Sequence, residues 1–196
     1  MEEDARTTRE LLLALDDDYR RCYSEVIDRL NEGTRQADGT IDADHEFDAR
    51  QLISTAFAYI EGATYILKIE ASFNADENGI ELTPQQQHFI FEADFGLSDK
   101  GDVLEKPAKI PLSKNVRFAF NVFAEANGVD FHFDASAEWW SLFRDSVHVR
   151  DRLTHPRMPS DLDVSPSEVI AMVKAKAGFD EVLYFLLRTR SPRRAQ

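Results

Sequence analysis

The stretch SAEWWSLFRDSVHVRDRLTHP, residues 136–156, decides how this chain reads. Trp140, Phe143, Val147, Arg150 and Thr154 follow steps of three, four, three and four. At about 100° per residue they form one stripe of a helix spanning residues 136–154. Pro156 closes it, because a proline disfavours helical backbone at the residue before it. Arg150 stands where the pattern expects an apolar side chain. An arginine left desolvated and unpaired there is costly, so it needs an anionic partner. That partner is either a structural carboxylate, for which Glu61 on an earlier helix is the candidate, or a phosphate in a cleft or interface.

Outward from this segment the same periodicity recurs. Towards the C-terminus, Ser165-Pro166-Ser167-Glu168 has the form of a capping box with proline at the first helical position. Val169, Ile170, Val173, Ala177, Leu183, Leu186 and Leu187 then give a last helix its apolar face, with Gly178 able to bend or split it. Towards the N-terminus, Phe118, Ala119, Val122, Phe123 and Ala126 mark a helix over residues 113–127 closed by Gly128. Thr83-Pro84 opens a shorter one. Residues 96–112, with two Gly and two Pro, read as a connecting loop. Ile53, Ala56, Phe57, Ile60, Ala63, Thr64, Leu67 and Ala71 predict a long helix over about 47–73. Leu12, Leu15, Tyr19, Cys22, Tyr23, Val26, Ile27 and Leu30 predict another, capped at Thr7 with Glu10 and stopped at Gly33. Residues 34–44 read as a loop. Asp130 to Asp134 alternates in hydropathy over too short a span to found a sheet. The fold class is therefore all-α: an up-and-down helix bundle with an extra N-terminal helix and short inserted helices, one domain over residues 1–190 with a disordered tail at 191–196.

Composition bounds the function. Of 196 residues 43 % are hydrophobic and 30 % charged, a globular balance. The single Cys22 excludes an internal disulfide framework, suits a reducing compartment and sits at core spacing. The acidic opening MEEDARTTRE does not read as a signal peptide, and no run reaches the roughly 20 apolar residues that cross a bilayer. The expected place is the cytoplasm, without a membrane partner.

The formal net charge of −13 argues against general DNA binding. The acid is concentrated early: residues 1–50 hold 15 Asp/Glu against 7 Arg, whereas residues 144–157 hold four Arg against two Asp. Any polyanion site is local and lies in the C-terminal third. Glycine-rich phosphate loops, paired CxxC, HExxH and GxSxG are all absent. His45, His88, His132 and His148 are too scattered for a ligand set, so no metal or cofactor is expected. Asp16-Asp17-Asp18 reads as a solvated face, and Trp139-Trp140 as core.

His155 falls five residues after Arg150, about 140° away were the helix to continue. Pro156 frees it from that direction, and a helix C-terminus favours a protonated imidazole. The run RDRLTHPR, followed by a loop and a last helix, resembles the signature of the HEPN superfamily of small helical-bundle proteins: Arg, four to six residues, then His, with Asn, Asp or His commonly after the Arg. Arg150, Asp151 and His155 match those positions. The helix AFAYIEGATYIL, residues 56–67, resembles the early helix of that bundle, with Glu61 as the polar residue facing the motif. The resemblance is sharp over residues 140–187, extends from about 46 to 188 as a core, and leaves the N-terminal helix and residues 80–130 uncovered.

That resemblance implies a metal-independent endoribonuclease, often a toxin or defence effector with a neutralising antitoxin. Such proteins act as homodimers in which two motifs share one RNA cleft. Other members have lost catalysis and serve as dimerisation, nucleotide-, RNA- or protein-binding modules. It further implies Arg150 and His155 as catalytic residues and Asp151 and Glu61 as supports, with Arg152 and Arg157 on RNA phosphates. Arg157 stands where some toxin members carry a tyrosine that the antitoxin modifies, so that mode of control does not transfer.

Overall fold

A computed structural model describes residues 2–31 and 43–189. The fold class is all-α as expected: six helices among the described residues, and one two-stranded hairpin. In order these are α1 (Glu2–Asn31), α2 (Ala43–Asn78), α3 (Pro84–Ile90), β1 (Ala93–Leu97), β2 (Val103–Pro107), α4 (Leu112–Ala126), α5 (Glu138–Thr154), a 3-10 turn (Pro159–Leu162) and α6 (Pro166–Thr189). The chain forms two compact units. The first takes Met1–Gly62 and Ala135–Asp180, the second Ala63–Asp134 and Glu181–Gln196. The stop at Gly33, most of the loop at 34–44 and the tail at 191–196 lie outside the described residues.

In the first unit α1 packs through Leu12, Leu15, Tyr19, Cys22 and Val26, of which Tyr19 and Val26 are buried; Tyr23, counted in the sequence stripe, is exposed. Thr7 lies inside α1 and does not cap it, for no helix breaker precedes it. The acidic run is split: Asp17 and Asp18 are exposed, but Asp16 turns inward to Lys176. Lys176, on the buried face of α6, donates to Asp16 Oδ1 at 3.2 Å and Asp180 Oδ2 at 2.8 Å. Its ammonium also lies 4.4 Å and 4.0 Å from the ring centres of Tyr19 and Tyr59. Two carboxylates and two aromatic faces thus replace the water that a buried ammonium loses.

Lys176 also explains where the sequence reading of α6 slipped. Its buried face is Val169, Met172, Ala175, Lys176, Phe179, Leu183 and Leu186; Ile170 and Ala177 point outward. A charged residue in mid-stripe disguised the period. Gly178 does not split α6, which runs unbroken through it. A Cβ there would come within 2.3 Å of Trp139 Cβ and Cγ, so the missing side chain lets α5 approach closely. Gly178→Ala would gain about 1 kcal/mol of helix propensity. Overpacking against the root of Trp139 costs about 1–3 kcal/mol. Set against each other these leave a net loss of about 0–2 kcal/mol, with the overlap at the root of Trp139 favouring the upper end, which chemical denaturation of the variant checks.

On α5 the buried residues are Trp140, Phe143, Ser146 and Val149. The sequence stripe chose Val147 because serine looked polar, but small Ser146 occupies the centre. The buried face is therefore rotated, and Arg150 lies on its flank, half-exposed. Trp140 stacks on Phe143 with ring centres 5.1 Å apart, a packing role.

In the second unit α4 buries Val116, Ala119, Phe120, Val122, Phe123, Ala124 and Ala126. Gly128 follows at φ 63°, a left-handed position suited to glycine after a helix. Thr83 and Gln86 form the capping box that opens α3. Residues 96–112 are not a plain loop. Residues 93–97 pair antiparallel with 103–107, and Gly101 at φ 85° turns the chain between them. The sequence did carry the alternation Ala93-Asp94-Phe95-Gly96-Leu97; two glycines and two prolines outweighed it. Asp130 to Asp134 forms no strand, and among the described residues no three acidic, His or Cys side chains gather as a metal-ligand set. No helix there is long and apolar enough to cross a membrane.

Candidate functional site

The last two turns of α5 and the loop into α6 gather most residues of the motif. Arg150 reaches α2: its Nη2 donates to Glu61 Oε1 at 2.5 Å, and its Nη1 to Asp151 Oδ1 at 3.0 Å. Its guanidinium is thus held by a carboxylate on each side, which fixes its plane. The pair is half-exposed, Arg150 at 32 % and Glu61 at 40 %, so solvent screens it and its contribution to stability is small.

Arg150 and Glu61 stand on the wall of a groove of about 240 Å³ whose remaining lining is Ile53, Ser54, Phe57, Ala58, Leu153 and Thr154. Its lining mixes apolar side chains with the charged pair and two hydroxyls. The volume is below the roughly 300–1,000 Å³ of pockets that engulf a whole ligand. It is an open furrow with room for one small group.

His155 ends the helix as Pro156 requires. Its N–H still bonds Asp151 O at 3.0 Å, but its backbone is at φ −129°, ψ 57°, outside the helical region. Its imidazole is exposed and lies outside the groove lining. Arg150 and His155 are therefore neighbours along one helix end, and the guanidinium bonds Glu61 and Asp151, not the imidazole.

Arg152 is engaged elsewhere. Its Nη1 donates to Asp161 O at 2.8 Å and Asp163 O at 2.7 Å, and its Nη2 to Glu168 Oε1 at 2.7 Å. It pins the loop after His155 to the start of α6. Glu168 closes the expected capping box, accepting from Ser165 N at 2.8 Å while Glu168 N donates to Ser165 Oγ. Asp161 accepts from the N–H groups of Arg157 and Met158, and Arg50 donates to Leu162 O. These bonds set the course of the chain beyond His155. Arg157 is exposed beside them.

Burial raises the Glu168 carboxyl, but the bonds from Ser165 and Arg152 outweigh it and hold the group below its ordinary 4.5. A depressed folded pKa gives stability that is present above 4.5 and lost as pH falls through the folded value. Glu168→Gln should therefore lower stability near neutral pH and flatten the loss of stability on acidification below pH 4.5. Thermal midpoints across a pH series check this; unchanged steepness would refute it.

No family model matches the chain, and no curated protein or solved structure shows significant similarity to it.

Proposed function

We propose that the end of α5 is an RNA-cleaving site of HEPN type, working without metal and completed by a second copy of the chain. One observation carries the reading. Arg150 stands held and half-exposed on an open furrow, and His155 lies exposed five residues further on. In this reaction the ribose 2′-oxygen attacks the adjacent phosphorus and gives its proton to one imidazole. The 5′-oxygen leaves with a proton from another, which yields a 2′,3′-cyclic phosphate and a 5′-hydroxyl. A single chain offers one His155, so the second acid–base comes from the partner copy. Arg150 stabilises the charge that builds on the phosphorane oxygens. Glu61 and Asp151 hold the guanidinium plane, and Arg157 offers a phosphate contact.

A second reading, a catalytically silent module for dimerisation or for nucleotide, RNA or protein binding, has one observation in its favour. Both terminal nitrogens of Arg150 already donate to a carboxylate, so Glu61 and Asp151 offset much of its charge within the chain itself. Incubation with total and synthetic RNA in EDTA, beside His155→Ala and Arg150→Ala, separates the two. The enzyme reading expects fragments from the wild type alone. The silent reading expects RNA retained uncut by the wild type and by His155→Ala, with retention lost in Arg150→Ala.

A further inference from the structure

The β1–β2 hairpin is firmly rooted yet largely exposed. Its root is Glu92, a non-glycine residue at φ 51°, a conformation that persists only where its surroundings over-determine it. Those surroundings are polar and part-buried. Lys68, fully buried on α2, pairs with the Glu92 carboxylate and donates to Asn115 Oδ1 at 3.0 Å. Asn115 Nδ2 in turn donates to Glu92 Oε1 at 3.0 Å, and Ala108 N closes the far strand onto Glu92 O at 2.7 Å. From this clamp the hairpin extends with Phe95, Leu97, Val103 and Leu104 exposed at 53, 76, 71 and 52 %. All five residues of β2 are exposed. A hairpin of two strands is marginal alone in water, and an open strand edge is a template for another strand.

Hydrogen bonding fixes which residues that edge offers. The bonds Ser98 N to Asp102 O and Ala108 N to Glu92 O bracket the ladder. Bonded pairs alternate in an antiparallel ladder, so Lys106 and Leu104 bond inward to Asp94 and Gly96. Val103 and Glu105 then direct their N–H and C=O outward. Pro107, next in that series, has no N–H to give and ends the edge.

We propose that the outer edge of β2 is a self-association surface, on which the same strand of a second copy pairs antiparallel about a two-fold axis at Leu104. Only this register puts Leu104 against its own copy, Val103 against Glu105, and Asp102 against Lys106 twice over. Lys106 already pairs with Asp94 of its own chain and Asp102 accepts from Ser98, and across the axis the two meet as opposite charges. Centring the axis on Glu105 would instead set two carboxylates opposite each other. The rooted base means that little order has to be gained on pairing. The small ladder places the dimer in the weak, transient class. This inference goes beyond the ribonuclease reading and does not depend on it, since no residue of the groove takes part.

The test is sedimentation velocity over a concentration series on the full chain, with Glu105→Pro and Leu104→Lys. Proline at 105 removes an outward N–H and leaves the β1 pairing intact. Lysine at 104 sets two cations on the axis. The wild type should self-associate reversibly through this edge, in addition to any pairing at α5, and each variant should weaken that association at least tenfold with an unchanged circular-dichroism spectrum. As a second readout, Leu104→Cys in a Cys22→Ser background should cross-link to itself under mild oxidation. A wild type monomeric at the highest concentration overturns the proposal. So does a dimer indifferent to both substitutions, or a Leu104→Cys chain that does not cross-link. His155→Ala should leave the dimer unchanged, so loss of cleavage and loss of pairing are read separately.

Discussion

Lys176→Met is expected to destabilise the first unit by about 3–5 kcal/mol, the cost of stranding buried charge by removing its partner. Lys176 is 6 % exposed, with Asp16 and Asp180 at 17 and 20 % on either side of it. Methionine fills the stem but leaves two carboxylates facing each other across the space of the ammonium. Their wild-type state already shows the tension. Burial pushes the Asp180 carboxyl up despite Lys176, and burial of Asp16 is outweighed by Arg20 and Lys176, which hold it below 3.8. The signs are therefore opposite. Asp16 contributes stability above 3.8 that is lost as pH falls through its folded value. Asp180 contributes below 3.8, and that part is lost as pH rises through its raised value. In Lys176→Met both carboxyls shift up, so the variant should recover towards the wild type on acidification. Urea midpoints at neutral and acid pH measure this. Lys176→Met with Asp16→Asn and Asp180→Asn should restore most of the loss, because no unpaired charge remains. A loss below about 1 kcal/mol at neutral pH would mean that the cluster is solvated, contrary to its burial.

Lys176 also shows what a sequence can and cannot disclose. Helices announced themselves where capping chemistry and apolar steps agreed, as at Ser165-Pro166-Ser167-Glu168 and Thr83-Pro84. The ion pair of Arg150 with Glu61 was named on a premise that does not hold, since Arg150 lies half-exposed on the flank of the buried face and not on an apolar stripe. Two kinds of residue hid. Lys176 and Ser146 are polar residues at buried positions, and their neutralising or space-making role depends on helices distant in sequence. The hairpin hid because its ladder is a pairing between strands, while each strand alone carries glycine or proline that reads as loop. The position of His155 was foreseen from Pro156. Its distance from the groove was not, since no local rule sets where a helix end points relative to another helix.

His155→Ala carries the second large effect, on activity. A positioned proton-transfer group contributes about 10²- to 10⁴-fold to rate, so under the proposed activity cleavage should fall by that factor, with the fold unchanged because His155 is exposed. Arg150→Ala should fall by a comparable factor, since it removes charge from the transition state. Arg150→Lys should recover little, for a point charge cannot be held in plane between Glu61 and Asp151.

The most direct measurement follows one RNA oligonucleotide and its 2′-O-methyl counterpart in EDTA, with the ends of any product identified. The proposed chemistry predicts that the wild type cuts only the RNA, leaves 2′,3′-cyclic phosphate and 5′-hydroxyl ends, and loses this in His155→Ala. Cleavage of both substrates, equal cleavage by His155→Ala, or no cleavage by the wild type on any RNA offered would contradict it.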